Sequence, residues 1–261
     1  MNNTTSTQTN DQYSLAKILG IWAVVALPML LITYVFTPAL IPRVNLEPGF
    51  LFFYLVILSL VWQFVVSMIV LYRELGTLRW SVIRVRMWYQ TARDPKTGEP
   101  NARLFWWSVP IILLVNGLGI MVLQGPITDA FLRFLPALKS PSFTDSSVLF
   151  SPEFAGQWWL LGVILILIPF NYFLGEEFLF RGVLLPKMNG VFGKWDWVAN
   201  AVLFAGYHLH NPQSFLFNVL FSAPYIWASK YFRSNWFAVI VHGFQGLFLF
   251  VIILLVVSGM L

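Results

Sequence analysis

Apolar residues in this chain do not alternate with polar ones at the two-residue period of a half-buried strand. They do not form a single stripe at helical spacing either; they come in long, nearly unbroken runs. A helix rises about 1.5 Å per residue, so about 20 apolar residues are needed to cross about 30 Å of hydrocarbon. The runs Ile18 to Ile41, Phe50 to Tyr72, Leu104 to Gly125 and Asn235 to Ser258 meet that length. A fifth starts at Trp158, stays apolar to Leu174 and continues through a charged patch to Leu185. Two shorter runs, Trp197 to Leu209 and Phe215 to Ala228, precede the last. The pattern predicts an all-α, polytopic membrane bundle of about seven transmembrane helices (six to eight). It forms a single domain over residues 17–261, after a polar segment 1–16 expected to be disordered. The first run is too long for a signal peptide, and only Lys17 supplies a basic flank.

Composition narrows the class further. Of 261 residues 58% are hydrophobic and 10% charged, and there is no cysteine, whereas about a quarter of a soluble domain is charged. The 16 basic and 11 acidic residues cannot coat a globule of this size. A soluble enzyme, a disulfide scaffold and a disordered chain are excluded. The seven basic residues from Arg73 to Arg103 mark a cytoplasmic loop. Alternating spans then place thirteen basic residues inside against three outside (Arg43, Arg133 and Lys139). The expected topology is multi-pass with a cytoplasmic N-terminus and an outside C-terminus, in the cytoplasmic membrane of a bacterium or archaeon. The net charge of +5 then reflects anionic lipid and calls for no nucleic acid.

Two connecting segments carry further pattern. Leu78, Val82, Val85 and Tyr89 recur at helical spacing with Arg79, Arg86, Gln90 and Arg93 on another face, which predicts a helix lying in the interface. Gly125 to Glu153 holds four prolines and is expected to be a loop with a short surface helix.

The remaining charges fall where charge is expensive. An ionisable side chain inside a span costs roughly 2.5–3.5 kcal/mol on insertion scales and is a functional candidate by default. Glu176, Glu177 and Arg181 sit together among Leu and Phe. At i and i+4, Glu177 and Arg181 share a helix face and can pair. Glu176 is turned roughly 100° away and lacks that partner. Two acids and one Arg leave excess negative charge, to be offset by a proton, a protonated His or a metal. Such a carboxylate has reason to bind and deprotonate water. Two of the three histidines, His208 and His242, lie in apolar runs of their own. Counted from their cytoplasmic boundaries, Glu176, His208 and His242 come out roughly 16, 20 and 10 Å deep, in one central layer. His210, beside Asn211-Pro212, reads as a boundary residue.

These residues resemble the CAAX protease and bacteriocin-processing (CPBP) family of intramembrane peptidases, which includes the type II CAAX prenyl endopeptidases. The likeness rests on Glu-Glu-x-x-x-Arg at Glu176 to Arg181, followed by Gly182 and Leu184-Leu185-Pro186, on Phe-x-x-x-His at Phe204 to His208, and on a third motif begun by His242. It covers 158–248. The resemblance implies peptide-bond hydrolysis inside the membrane. Glu176 would activate water with His208, Glu177 and Arg181 would hold charge balance and orientation, and His242 would stabilise the oxyanion. The family pattern expects Asn four residues after that His; here the position is Gly246, with Gln245 beside it as the nearest amide. The resemblance favours a glutamate mechanism with no metal or other cofactor. Zinc is the alternative, because two His and a Glu could make a three-ligand site, although no His-Glu-x-x-His pattern is present. The expected partners are the lipid bilayer and a hydrophobic or lipid-anchored protein or peptide tail. Two other readings stand beside the peptidase. One is a degenerate CPBP-fold protein that binds a partner membrane protein, which Gly246 favours. The other is a transporter or proton relay, against which no pair of broken helices appears in matching halves.

Overall fold

The computed structural model describes residues 12–261, and among these the fold is helical with no β-strand. Eight helices carry it: α1 Leu15–Arg43, α2 Pro48–Leu75, α3 Trp80–Arg86, α4 Ala102–Phe134, α5 Trp159–Lys187, α6 Asp196–Tyr207, α7 Phe215–Tyr231 and α8 Trp236–Val257. Five of them, α1, α2, α4, α5 and α8, are long and apolar enough to cross a membrane. Their polarity is inverted relative to a soluble bundle: Leu19, Leu27 and Leu58 are exposed, while Thr33, Ser59, Gln63 and Ser67 are buried. Exposed Trp residues gather at both ends, Trp106, Trp107 and Trp195 at one and Trp158 and Trp159 at the other, as expected of anchors at two membrane–water boundaries. The chain is an integral membrane protein.

The two short runs expected as the fifth and sixth spans are α6 and α7. With 12 and 17 residues they extend about 18 and 26 Å. They form an antiparallel hairpin. Lys230 at the end of α7 pairs with Asp196 at the start of α6. At the tip, Gln213 exchanges hydrogen bonds with Ser140, receiving one from its backbone N–H at 2.9 Å and giving one to its hydroxyl at 2.7 Å.

Local chemistry sets the helix ends. The α1 N-cap is Ser14, whose hydroxyl accepts from Lys17 N–H. In α2, Glu47 caps Phe50 N–H, Pro48 opens the helix and Gly76, at φ +66°, closes it by donating to Tyr72 O. Of the segment 1–16 expected to be disordered, residues 1–11 lie outside the described residues. The helix already starts at Leu15, and Tyr13 is buried with its N–H on Lys187 O at 3.0 Å.

The 76–101 loop departs from its expected form. The helix stops after seven residues because Trp88 takes φ +58° and turns the chain inward. Ile83, Met87, Tyr89 and Ala92 are buried, while Leu78, Val82 and Val85 stay exposed. The segment after the helix plugs this basic end of the bundle. Ser234 Oγ donates to Gln90 O at 2.6 Å, and Asn235 N–H to Trp88 O at 2.9 Å. In the 125–153 segment, α4 runs on through Gly125-Pro126 to Phe134 and only then breaks into short 3-10 turns.

Arg86 ties four elements together. Its Nε meets Glu74 Oε1 at 2.5 Å and its Nη2 meets Glu74 Oε2 at 3.0 Å. Nη2 also donates to the Tyr13 hydroxyl at 2.9 Å, and that hydroxyl donates to Glu74. Burial pushes the Tyr13 pKa above the usual phenol range. Lys187 Nζ joins at 3.2 Å from Glu74 Oε1. Removing one partner of a buried pair costs about 3–5 kcal/mol, because the other charge is left uncompensated. Arg86→Met should therefore lower the melting temperature of the purified protein far more than Arg84→Met, an exposed neighbour; equal melting curves would refute the role given to Arg86.

Candidate active site

The acidic motif lies on the second half of α5, where the helix widens. Between Pro169 and Pro186 its turns are of the π type, over Phe170–Gly175 and again over Glu177–Leu184. Insertions of this kind occur often at functional sites. A widened helix that ends at a proline leaves carbonyls without intrahelical donors. Here side chains from elsewhere reach four consecutive carbonyls, the first of which, Phe180 O, also accepts from Leu185 N–H. Asn200 Nδ2 donates to Phe180 O at 2.7 Å and Asn235 Nδ2 to Arg181 O at 2.6 Å. Arg86 donates to Gly182 O at 3.0 Å and to Val183 O at 3.1 Å. Gly182 allows a close approach: a Cβ there would lie 2.0 Å from Met87 Cε, so the end of that side chain would have to move.

This clamp fixes the two glutamates in different surroundings. Glu177 is wholly buried and has a partner beside each oxygen. Its Oε2 lies 3.2 Å from Arg181 Nε, an ion pair off the line of a good hydrogen bond, and its Oε1 accepts from His242 Nδ1 at 2.8 Å. Arg181 in turn donates to the Tyr225 hydroxyl at 3.0 Å, with its guanidinium 3.9 Å from the Phe204 ring centre. Glu176 is buried as well, yet its Oε2 has no hydrogen-bond partner in the protein. It faces two imidazoles: Oε1 is 3.6 Å from His208 Nε2, and Oε2 is 3.9 Å from His242 Nε2. Both gaps exceed direct hydrogen bonding and suit a bridging water.

His208 is the first residue past α6. Its Nδ1 lies 2.8 Å from Phe204 O; a carbonyl only accepts, so Nδ1 carries the hydrogen and Nε2 points at Glu176. His242 is held by Glu177 at one nitrogen, with Tyr172 edge-on at 4.8 Å and Tyr225 stacked at 5.9 Å between ring centres. The structure thus brings Glu176, Glu177, Arg181, His208 and His242 together. His242 meets both glutamates, because α8 enters between them. Glu176, His208 and His242 line one cavity of about 500 Å³, whose walls include Phe53, Phe217, Phe221 and Phe248. Gln245 lines the same cavity, and so does His210, whose ring centre is 5.4 Å from that of His208.

Residues 154–248 match the family model described as type II CAAX prenyl endopeptidase Rce1-like. The chain thus carries an Rce1-like domain over about a third of its length. No curated protein and no solved structure matches the chain significantly. The Rce1-like segment begins just before α5 and takes in α6, α7 and the first half of α8, so it holds Glu176, Glu177, Arg181, His208 and His242. Among the described residues no group of three or more His, Asp or Glu side chains is arranged to hold a metal ion.

Gly246 has a structural reason. A Cβ at this position would lie 2.6 Å from Tyr172 Cδ2 and 3.2 Å from Ile168 Cγ2. Tyr172, one turn before Glu176 on α5, therefore occupies the space that a side chain at 246 would need. Sequence reasoning missed Tyr172, Tyr225, Asn200 and Asn235. The available signal was a polar group inside or at the edge of an apolar run, the same signal that marked the histidines. Gly246→Ala should cost about 1–3 kcal/mol by overpacking, seen as a lower melting temperature that Tyr172→Ala in the same chain relieves. An unchanged melting temperature for Gly246→Ala would refute the close contact.

Proposed function

We propose that this protein is an intramembrane endopeptidase that hydrolyses a peptide bond in a hydrophobic or lipid-anchored tail, with Glu176 as the base that activates water. The observation that carries the reading is the division of labour between the glutamates. Glu177 lies 3.2 Å from Arg181 and accepts from His242 at 2.8 Å, whereas Glu176 stands 3.6 and 3.9 Å from two imidazoles in a Phe-lined cavity. A water held between Glu176 and His208 Nε2 gives its proton to Glu176 as its oxygen attacks the peptide carbonyl carbon. The tetrahedral oxyanion then collapses, the C–N bond breaks, and Glu176 passes the proton to the leaving nitrogen. With both ring hydrogens in place, His242 brings the Glu176–Glu177–Arg181 set to neutrality and offers Nε2–H to the oxyanion. The Tyr172 hydroxyl, lining the same cavity beside His242, is the second donor in place of the Asn that the family pattern expects, with the Gln245 amide nearby. No step needs a metal. The basic end, with most of the Lys and Arg, faces the cytoplasm.

The test is cleavage of lipidated and unlipidated membrane peptides by protein reconstituted in nanodiscs. Glu176→Gln should slow cleavage about 10²–10⁴-fold; undiminished cleavage would remove Glu176 from the role. Tyr172→Phe, which keeps the ring over Gly246, should lower kcat roughly 10²–10³-fold with little change in KM. A strong chelator should leave the rate unchanged, and a loss restored by zinc would overturn the metal-free mechanism. Wild type that binds such peptides but cleaves none would replace the peptidase by the partner-binding reading.

A further inference from the structure

A second cavity, of about 460 Å³, opens at the basic end, far from the glutamates. It is framed by the 93–98 turn, the start of α6 and the end of α7 into Arg233. Four cations line it, Arg93, Lys194, Lys230 and Arg233, against one acid, Asp94. Lys230 is already paired with Asp196 and donates to Lys194 O at 3.2 Å. Asp94 is turned back on its own loop, with Oδ1 accepting from Lys96 N–H at 2.8 Å and Thr97 N–H at 3.2 Å. Among the described residues none of Arg93, Lys194 and Arg233 is in an ion pair. Three cations thus face one space without a compensating carboxylate, an arrangement whose mutual repulsion an anion would relieve.

The surroundings say which anion. Trp227 and Tyr231 line the same cavity, stacked at 4.8 Å between ring centres. Along α7 they continue into Leu220 and Leu216, all four exposed and spaced by four, seven and four residues, so they form one outward stripe. A cationic bowl at the membrane boundary therefore opens onto an apolar track descending the side of the bundle. A free phosphate would use the bowl alone; a phospholipid would use both, with its headgroup on the cations and an acyl chain along the track. Basic pockets between membrane helices bind headgroups in this way.

We propose that the pocket formed by Arg93, Lys194 and Arg233 with Trp227 and Tyr231 is a binding site for the phosphate headgroup of an anionic phospholipid. It does not depend on the peptidase reading. The test is native mass spectrometry of the full-length protein released from detergent with added phosphatidylglycerol, phosphatidylcholine or inorganic phosphate. Phosphatidylglycerol adducts should persist, with phosphatidylcholine weaker by about tenfold or more. In Arg93→Gln/Lys194→Gln/Arg233→Gln the anionic lipid should bind roughly 100-fold more weakly, about fivefold per charge removed. Lys194→Gln alone, at an exposed position, should show the single step. Arg79→Gln/Arg84→Gln, exposed charges at the same end outside the pocket, should leave binding as in wild type. Equal retention of the two lipids, or equal losses in the two multiple variants, would overturn a defined site. Inorganic phosphate that binds alone and displaces the lipid would show a soluble-anion site instead.

Discussion

Everything about the acidic motif depends on four carbonyl groups. Phe180, Arg181, Gly182 and Val183 lie where α5 has widened and is about to end at Leu185-Pro186; Phe180 O keeps a helical donor in Leu185 N–H, and side chains meet the remainder. Each unmet backbone acceptor inside a membrane protein costs several kcal/mol. Side chains reach all four: Asn200 from α6, Asn235 from the start of α8, and Arg86 from the inward-folded loop. Three distant stretches of sequence are thereby locked to one helix end. The widened turn becomes a rigid platform, and the orientation of two adjacent glutamates follows from it.

The platform explains why the site is asymmetric. A regular helix would turn Glu176 and Glu177 onto faces about 100° apart and give them separate neighbours. On this wider turn both reach His242, one directly and one across a gap of 3.9 Å. The directly bonded carboxylate also faces Arg181 and is charge-compensated; the other is not. Preorganisation here consists in spending the strong partners on Glu177, so that the neighbouring carboxylate keeps its free oxygen.

Much of this could be read in the sequence, in specific places. Uninterrupted apolar runs announced the bundle, because backbone groups in hydrocarbon must be satisfied within helices. The spacing of Glu177 and Arg181 gave their pairing, and depth counting placed Glu176 and two histidines in one layer; the structure has them within 4 Å of one another in pairs. What could not be read was set by long-range contact. Trp88 at positive φ turned an amphipathic pattern inward, and no propensity signals that a Trp will adopt such a conformation. Gly246 looked like a missing donor because its partner, Tyr172, stands 74 positions away in the chain and only the fold shows that its ring occupies the space.

The α6–α7 hairpin has a consequence for parity. Counted as two crossings or as one loop that enters and returns, it gives seven spans or five, and the direction of every other helix is the same. Each terminus keeps its side under either count, so a reporter fused to an end is blind to the difference. The direction of α8 is likewise preserved: it runs antiparallel to α5, and His242 descends from the basic end to meet glutamates carried by a helix rising toward it. The geometry of the acid–imidazole cluster is thus indifferent to how deeply the hairpin penetrates, except at one residue. His208, at the turn, is the member of the site whose position along the membrane normal the hairpin's length sets.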